Sequence, residues 1–282
     1  MKPDNISCAG FSLTHKNGLP LITDNRLTAL GIPHGFTTRM GGVSEGEFES
    51  LNLAYSPERS DSSDNVERNY DILLSAFGVS PKNAVRTHQL HTDRVVACDS
   101  LSGVGFTSPD FTEGTDGLVT LKDGQLISAR MADCLPILLC DTKSGAVGAV
   151  HSGWRGTIEL IGTKAIRLMC DTYGSDKNDI LVSFGPSVGA CCYEVGKEFY
   201  ENFINTHGDI LKPAFSQKGA SLYADMREVN RILMTKSGVP DKNIAIYTPC
   251  TCCNPAHFFS HRRQKSQRGT MAAVIVCKKE FI

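Results

Sequence analysis

Two apolar runs flank a short polar turn in Ala132-Asp133-Cys134-Leu135-Pro136-Ile137-Leu138-Leu139-Cys140-Asp141-Thr142-Lys143-Ser144-Gly145-Ala146-Val147-Gly148-Ala149-Val150-His151-Ser152-Gly153-Trp154-Arg155-Gly156. The stretch reads as an antiparallel hairpin turning on Asp, Thr, Lys and Ser. Centring the turn on residues 141–144 sets Cys134 opposite His151 at the open end, with Cβ atoms roughly 4.5 to 5.5 Å apart. A thiolate and an imidazole at that separation suit one shared metal ion or a Cys/His catalytic pair.

Outward from the hairpin, four segments carry helical periodicity with start and stop signals. Asp64 and Glu67 form a capping-box pattern before Val66, Tyr70, Leu73, Leu74 and Phe77, and Gly78 closes the segment. Further helices are expected from Thr157 to Gly174, from about Glu194 to Thr206, and from Asp225 to Gly238. Short β-rich runs at 95–98, 117–120, 125–128, 137–140, 146–150, 180–184, 244–247 and 271–276 lie between them. Residues 98–115, with three glycines and little periodicity, read as a long loop. Helices and strands mix without strict alternation, so the expected class is α+β, a mixed α/β sandwich with mixed sheets covered by helices. No repeat, low-complexity tract or Pro/Gly/Ser linker divides residues 1–282, so one domain is expected.

The 282 residues are 41% apolar and 21% charged, and 29 Lys plus Arg against 30 Asp plus Glu leave a net charge of -1. That balance, with no run of five basic residues, offers no source for sequence-independent capture of nucleic acid. The longest apolar runs fall far short of the ~20 residues that span a bilayer, and Met1-Lys2-Pro3-Asp4-Asn5 lacks an apolar export core. Eleven cysteines, an odd number with two adjacent pairs, fit a reducing cytoplasm better than a disulfide scaffold.

A third ligand for Cys134 and His151 is offered by Thr87-His88-Gln89-Leu90-His91, where two histidines precede a strand. Three protein ligands with an open fourth position is the pattern of catalytic zinc. The plainer alternative is a core cysteine and hydrogen-bonded histidines.

Several motifs appear in order: Gly35-Phe36-Thr37-Thr38-Arg39-Met40-Gly41-Gly42, Gln89-Leu90-His91, Thr115-Asp116-Gly117-Leu118, Ala132-Asp133-Cys134-Leu135-Pro136, His151-Ser152-Gly153-Trp154-Arg155-Gly156, Gly185-Pro186-Ser187 and Phe258-Phe259-Ser260-His261-Arg262-Arg263. Together they resemble the laccase-domain family, also called multicopper polyphenol oxidase or purine nucleoside phosphorylase, over about residues 30–277. The resemblance implies a mixed α/β sandwich with one zinc on His91, Cys134 and His151, the family's first ligand being the His two residues after Gln. It further implies phosphorolysis of adenosine, inosine and methylthioadenosine with adenosine deamination. Polyphenol oxidation and peptidoglycan precursor editing also attach to the family. The chain departs from the family pattern at Gln264, where an Asp is common, and at Arg268-Gly269-Thr270, where the arginine is displaced.

For such chemistry the expected phosphate or substrate contacts are Arg39, Arg155 and Ser152. The latter two lie at the start of the helix expected near Thr157, whose end favours an anion; the alternative is that Trp154 and Arg155 stack and cap. Asp133 and Gln89 are expected to support the ligands from behind. Arg262 and Arg263 are further candidates, with solvated positions as the alternative. Cys250-Thr251-Cys252-Cys253 invites a second metal, but it lacks the repeated Cys pairing that structural zinc generally shows, so packing or redox sensitivity is expected of it instead. Cys191 and Cys192 are read as thiols at a helix start, where a lowered pKa is expected unless burial makes them inert. Four-copper oxidation is disfavoured by only eight histidines. A Cys134/His151 hydrolase and an editing protein for cell-wall precursors stand as alternatives.

Overall fold

The computed structural model describes residues 6–55 and 61–278; residues 1–5, where export was judged from composition, lie outside them. One six-stranded sheet runs β1 (Phe11–Lys16), β2 (Leu19–Asp24), β3 (His34–Thr37), β15 (Met271–Val276), β7 (Leu126–Met131) and β4 (Ala84–Arg86). The other runs β14 (Ile244–Ile246), β10 (Ile180–Phe184), β8 (Leu135–Asp141), β9 (Val147–Ser152), β6 (Gly117–Thr120) and β5 (Val95–Ala97). Alternating residues such as Phe36, Ile127 and Ala129 from the first sheet meet Leu138, Val147 and Ala149 from the second in a shared core. The outer face of the first sheet is covered by α2 (Ser63–Phe77), through Val66, Tyr70, Leu73 and Leu74. The outer face of the second is covered by α4 (Ile161–Tyr173), through Ile161, Ala165, Ile166 and Met169. A three-stranded sheet of β11 (Glu194–Val195), β13 (Ser221–Ala224) and β12 (Phe215–Lys218) packs with α5 (Lys197–His207) and α6 (Met226–Lys236) around Phe203 and Val229. This is the expected mixed α/β sandwich. No helix is long and apolar enough to cross a membrane among the described residues.

The hairpin forms, but its register differs by two residues from expectation: Pro136, not Cys134, lies opposite His151, and Leu135 lies opposite Ser152. The turn closes one residue later than expected. Asp141 N donates to the Ala146 carbonyl at 2.9 Å and Gly145 N to the Asp141 carbonyl at 3.0 Å, with Gly145 at φ +78°. Only glycine enters that region without a Cβ penalty, so Gly145 belongs to the turn rather than to the strand. A slip of two preserves which face each side chain takes, and Cys134, just outside β8, still reaches His151.

Other local readings need correction. The cap of α2 is Ser62, whose side chain accepts from Asn65 N, rather than Asp64. The helix expected from Thr157 is two helices, α3 (Trp154–Ile158) and α4, separated by Leu160 at φ +64°. Glu194 and Val195 pair with β13 as a strand instead of opening α5.

Topology gathers the motifs at one end. β7 belongs to the first sheet and β8 to the second, so residues 132–134 form the corner between sheets, with Asp133 at φ +91°. β4 runs parallel to β7, so the segment after Arg86 emerges beside that corner. β9 ends there because it is antiparallel to β8, β6 begins there opposite Val150, and β15 begins there opposite Met131. Segments distant in sequence therefore converge: 87–92, 115–117, 132–135, 151–155 and 268–271.

Candidate functional site

His91, Cys134 and His151 come together at this end, their potential ligand atoms all within 4.8 Å of one another. Cys134 Sγ is 3.8 Å from His91 Nε2, and the two imidazole rings meet edge to face with centroids 4.9 Å apart. Nitrogen and sulfur ligands at ~2.0 to 2.3 Å from one tetrahedral ion leave each other at comparable separations. Gly153 is what allows the approach, because a Cβ there would lie 2.9 Å from His91 Cδ2 and 3.4 Å from Cys134 Sγ.

The organising group is Asp116, which the sequence reading quoted in a motif but gave no role. Its carboxylate is fully buried. It accepts from the backbone N–H groups of Leu90, His91 and Thr92 at 3.1, 3.2 and 2.9 Å, from the Thr92 hydroxyl, and from His151 Nδ1 at 2.7 Å. One side chain thus holds the loop that carries His91, itself at φ +61°, and fixes the His151 tautomer with Nε2 turned to the cluster. Desolvation opposes ionisation of Asp116, but the bond to His151 and the donors from Thr92 hold its pKa below the ordinary carboxylate range. Burial likewise raises the Cys134 thiol, yet His151 and His91 outweigh it and bring the pKa down. Burial lowers the pKa of His151, and Cys134 with Asp116 reverses that.

The hydrogen bonds of Asp133 and Gln89 go to the backbone and hydroxyls around the cluster and not to its histidines or thiol. Asp133 accepts from Thr251 Oγ1 at 2.5 Å, Ser260 Oγ at 2.9 Å and Arg262 N at 2.5 Å, and so anchors the corner that presents Cys134. Gln89 clamps Arg130 of β7, accepting from its N–H at 2.7 Å and donating to its carbonyl at 2.8 Å. Ser152 lines the cavity that opens on the cluster, while its hydroxyl is bonded to Thr157 Oγ1 and Asn230 Oδ1. The helix it precedes is one turn long, which removes the argument for an anion at that end.

A cavity of about 330 Å³ opens on the cluster, within the ~300 to 1,000 Å³ range of small-molecule sites. Its wall includes Trp154, Arg155, Tyr193, His261, Arg262 and Arg268 beside His91 and Cys134. Arg155 stacks on Trp154 at 4.5 Å and Arg262 on Tyr193 at 5.1 Å. Burial pushes the Tyr193 phenol up to about 12, so it stays neutral. A further cavity of about 210 Å³, lined also by Tyr55, Gln89, Arg130 and His151, shares His91, Cys134 and Arg268 with the first.

Arg39 lines neither cavity. It donates to the carbonyls of Glu49 and Pro255 at 2.6 and 3.0 Å and lies 4.7 Å over Phe259, so its guanidinium is committed to the fold. Arg263 is spent on the carbonyls of Thr251, Cys252 and Phe258. Gln264 stands in for the missing Asp as a neutral acceptor, taking Ser260 N at 3.1 Å and Arg263 Nη2 at 3.2 Å. The displaced Arg268 nevertheless reaches both cavities.

Residues 33–278 match the family described as multi-copper polyphenol oxidoreductase laccase. A mouse protein named purine nucleoside phosphorylase LACC1 is 36% identical over 91% of this chain, which spans 56% of that longer protein. The purine nucleoside phosphorylase of Deinococcus radiodurans is 35% identical over 92% of the chain and 93% of its own length. A protein from an unknown prokaryote named adenosine deaminase RL5 is 35% identical, covering 68% of this chain and 74% of its own. The crystal structure of the Bacillus licheniformis protein YfiH superimposes with a TM-score of 0.87 at 29% identity, covering 96% of this chain and all of that one. With the sandwich, the His/Cys/His cluster and these relatives in agreement, the chain belongs to the laccase-domain family of multi-copper polyphenol oxidoreductase-like proteins.

Proposed function

We propose that this chain, acting as a single domain in the cytoplasm, is a zinc-binding purine nucleoside phosphorylase. It splits adenosine, inosine and methylthioadenosine into base and ribose 1-phosphate, and it also deaminates adenosine. The observation that carries this reading is the His91/Cys134/His151 cluster opening on a cavity with three arginines and two aromatic rings in its wall. Two nitrogens and one sulfur suit zinc, and Gly153 leaves the space such a cluster needs. The names of the relatives supply the substrate class.

Zinc bound there would supply Lewis acidity at the cavity floor. The chain's own residues do the rest. Asp116 keeps the proton on His151 Nδ1 and the His91 loop in place. Arg155, Arg262 and Arg268 hold phosphate at the cavity wall. In phosphorolysis a phosphate oxygen bonds to the anomeric carbon as the glycosidic bond breaks and its electron pair leaves with the purine. Positive charge gathering on the ribose is then met by the anion those arginines position. Trp154 and Tyr193 offer apolar faces on which a purine stacks.

Four-copper oxidation finds no support in the histidine positions. Among the described residues the clustered potential ligands include only His91 and His151, while His34 and His207 bond to backbone elsewhere.

The test is incubation with adenosine, with and without phosphate, following base, ribose 1-phosphate and ammonia, alongside metal analysis. Adenine and ribose 1-phosphate should appear only with phosphate, and ammonia with or without it. Zinc-loaded protein yielding none of these would overturn the reading in favour of an editing or binding role. Turnover that rises on chelation would favour Cys134 as a hydrolytic nucleophile.

A further inference from the structure

A second group of potential metal ligands lies beyond the proposed active site. The Sγ atoms of Cys191, Cys192, Cys250 and Cys253 all fall within 4.8 Å of one another. Cys253 Sγ is 3.3 Å from Cys192 Sγ and 3.5 Å from Cys191 Sγ. The reason is topological. β10 and β14 are parallel neighbours, so their chains leave the sheet at the same end, and the pairing continues past the strands through a Ser187–Cys250 bridge with Thr251 N donating to the Ser187 carbonyl at 3.0 Å. Turns then bring the adjacent pair Cys191-Cys192 against Cys250 and Cys253, whose own spacing is Cys-x-x-Cys.

We propose that these four cysteines form a structural zinc site, a closed tetrathiolate that staples the 185–193 loop to the 248–254 loop. Four thiolate sulfurs at ~2.3 Å from one tetrahedral zinc stand about 3.8 Å apart, and the observed separations need only small rotamer changes to match. Gly189 N donates to Cys250 Sγ at 3.2 Å, the kind of backbone bond that steadies a metal-bound thiolate. A Cβ on Gly189 would meet Arg227 Nη2 at 2.8 Å and Cys191 Sγ at 3.4 Å, so glycine is what lets the 185–193 loop pack this closely. Binding releases the thiol protons to solvent and changes no oxidation state. Of the two outcomes expected for Cys191, a lowered pKa or a thiol kept inert by burial, the direction is the second: burial and the thiols of Cys250 and Cys253 push it up.

The staple stands behind the cavity wall. The first loop leads into Tyr193, and Thr251 of the second holds Asp133. The site is independent of His91 and His151, so the test uses full-length Cys134→Ala protein, purified anaerobically under reducing conditions. That variant should retain one zinc per chain. Its cobalt-exchanged form should show thiolate-to-cobalt charge transfer and the strong visible bands of a tetrahedral tetrathiolate, which the two remaining histidines cannot produce. Adding Cys192→Ser and Cys253→Ser should remove the metal. Cys134→Ala protein that holds no zinc and gives no thiolate–cobalt band would overturn the proposal. So would a disulfide between two of these four cysteines that survives in the reduced preparation, mapped by peptide mass.

Discussion

Asp116 joins two potential metal ligands through one carboxylate, and exchanging it for asparagine separates its charge from its shape. Asp116→Asn keeps a carbonyl oxygen for His151 Nδ1 but turns an N–H group toward the donors of residues 90–92. Zinc affinity of the His91/Cys134/His151 cluster should fall about 10- to 100-fold, the usual cost of losing such a supporting carboxylate. Chelator competition measures this, and unchanged affinity would deny Asp116 its role. The arginines divide in the same way. Arg155→Ala removes a cavity-wall cation, a charge-assisted contact of roughly 1.5 to 3 kcal/mol, so phosphorolysis should drop ~10- to 150-fold while deamination falls less. Arg39→Ala should instead lower stability by about 1 to 3 kcal/mol through its carbonyl bonds to Glu49 and Pro255, leaving the ratio of the two activities unchanged. A selective loss of phosphorolysis in Arg39→Ala would reverse that assignment. A motif shows which residue is present and not where its guanidinium is spent, and the bonds of Arg39 to Glu49 and Pro255 come only from the fold.

At the level of elements, His34 on β3 ties the first sheet together in its neutral form. Its Nε2 accepts from Asp24 N at 2.9 Å, and Nδ1 donates to the Ile32 carbonyl at 2.8 Å. Burial lowers its pKa, although the Ile32 bond and the Asp24 charge push the other way. A histidine whose folded pKa lies below its unfolded value contributes stability above about pH 6.5, and loses it as pH falls from there toward the folded pKa. Denaturant titrations of Cys134→Ala protein, which lacks the first metal site, should show that decline, and His34→Gln in the same background should flatten it. Identical slopes would mean His34 does not titrate with folding. Elements built from local contrast were legible beforehand: β10 and β15 have the expected bounds, α6 sits where its cap and periodicity put it, and α2 where its periodicity and closing glycine did. The register of β8 with β9 was not, since it turned on whether Gly145 belonged to strand or turn. The strands β1 to β3 escaped notice because their core-facing residues announce themselves only once the sheet they join is known.

On the scale of the whole molecule, the two sheets come close together where Phe36 of β3 meets Gly185 after β10; a Cβ on Gly185 would fall 2.2 Å from the ring. Gly185→Ala should overpack this junction and cost about 1 to 3 kcal/mol, read as a shifted denaturation midpoint with an unchanged m-value. Wild-type stability would show that the layers can part freely. Convergence at one end explains why Cys134 with His151 was readable from a single hairpin, and His91 by resemblance. Asp116, Arg268 and the four-cysteine group depend on strands meeting across both sheets and had no local signature.

His91, Cys134 and Arg268 line both cavities. An ion held by the cluster would therefore border two spaces and not one. If a nucleoside fills the larger, the smaller, lined by Tyr55 and Gln89, is left for water or a small chelator. Metal stripping by a small chelator should therefore run at nearly the same rate with saturating inosine as without it, and a marked slowing by inosine would show that the larger cavity is the ion's route to solvent.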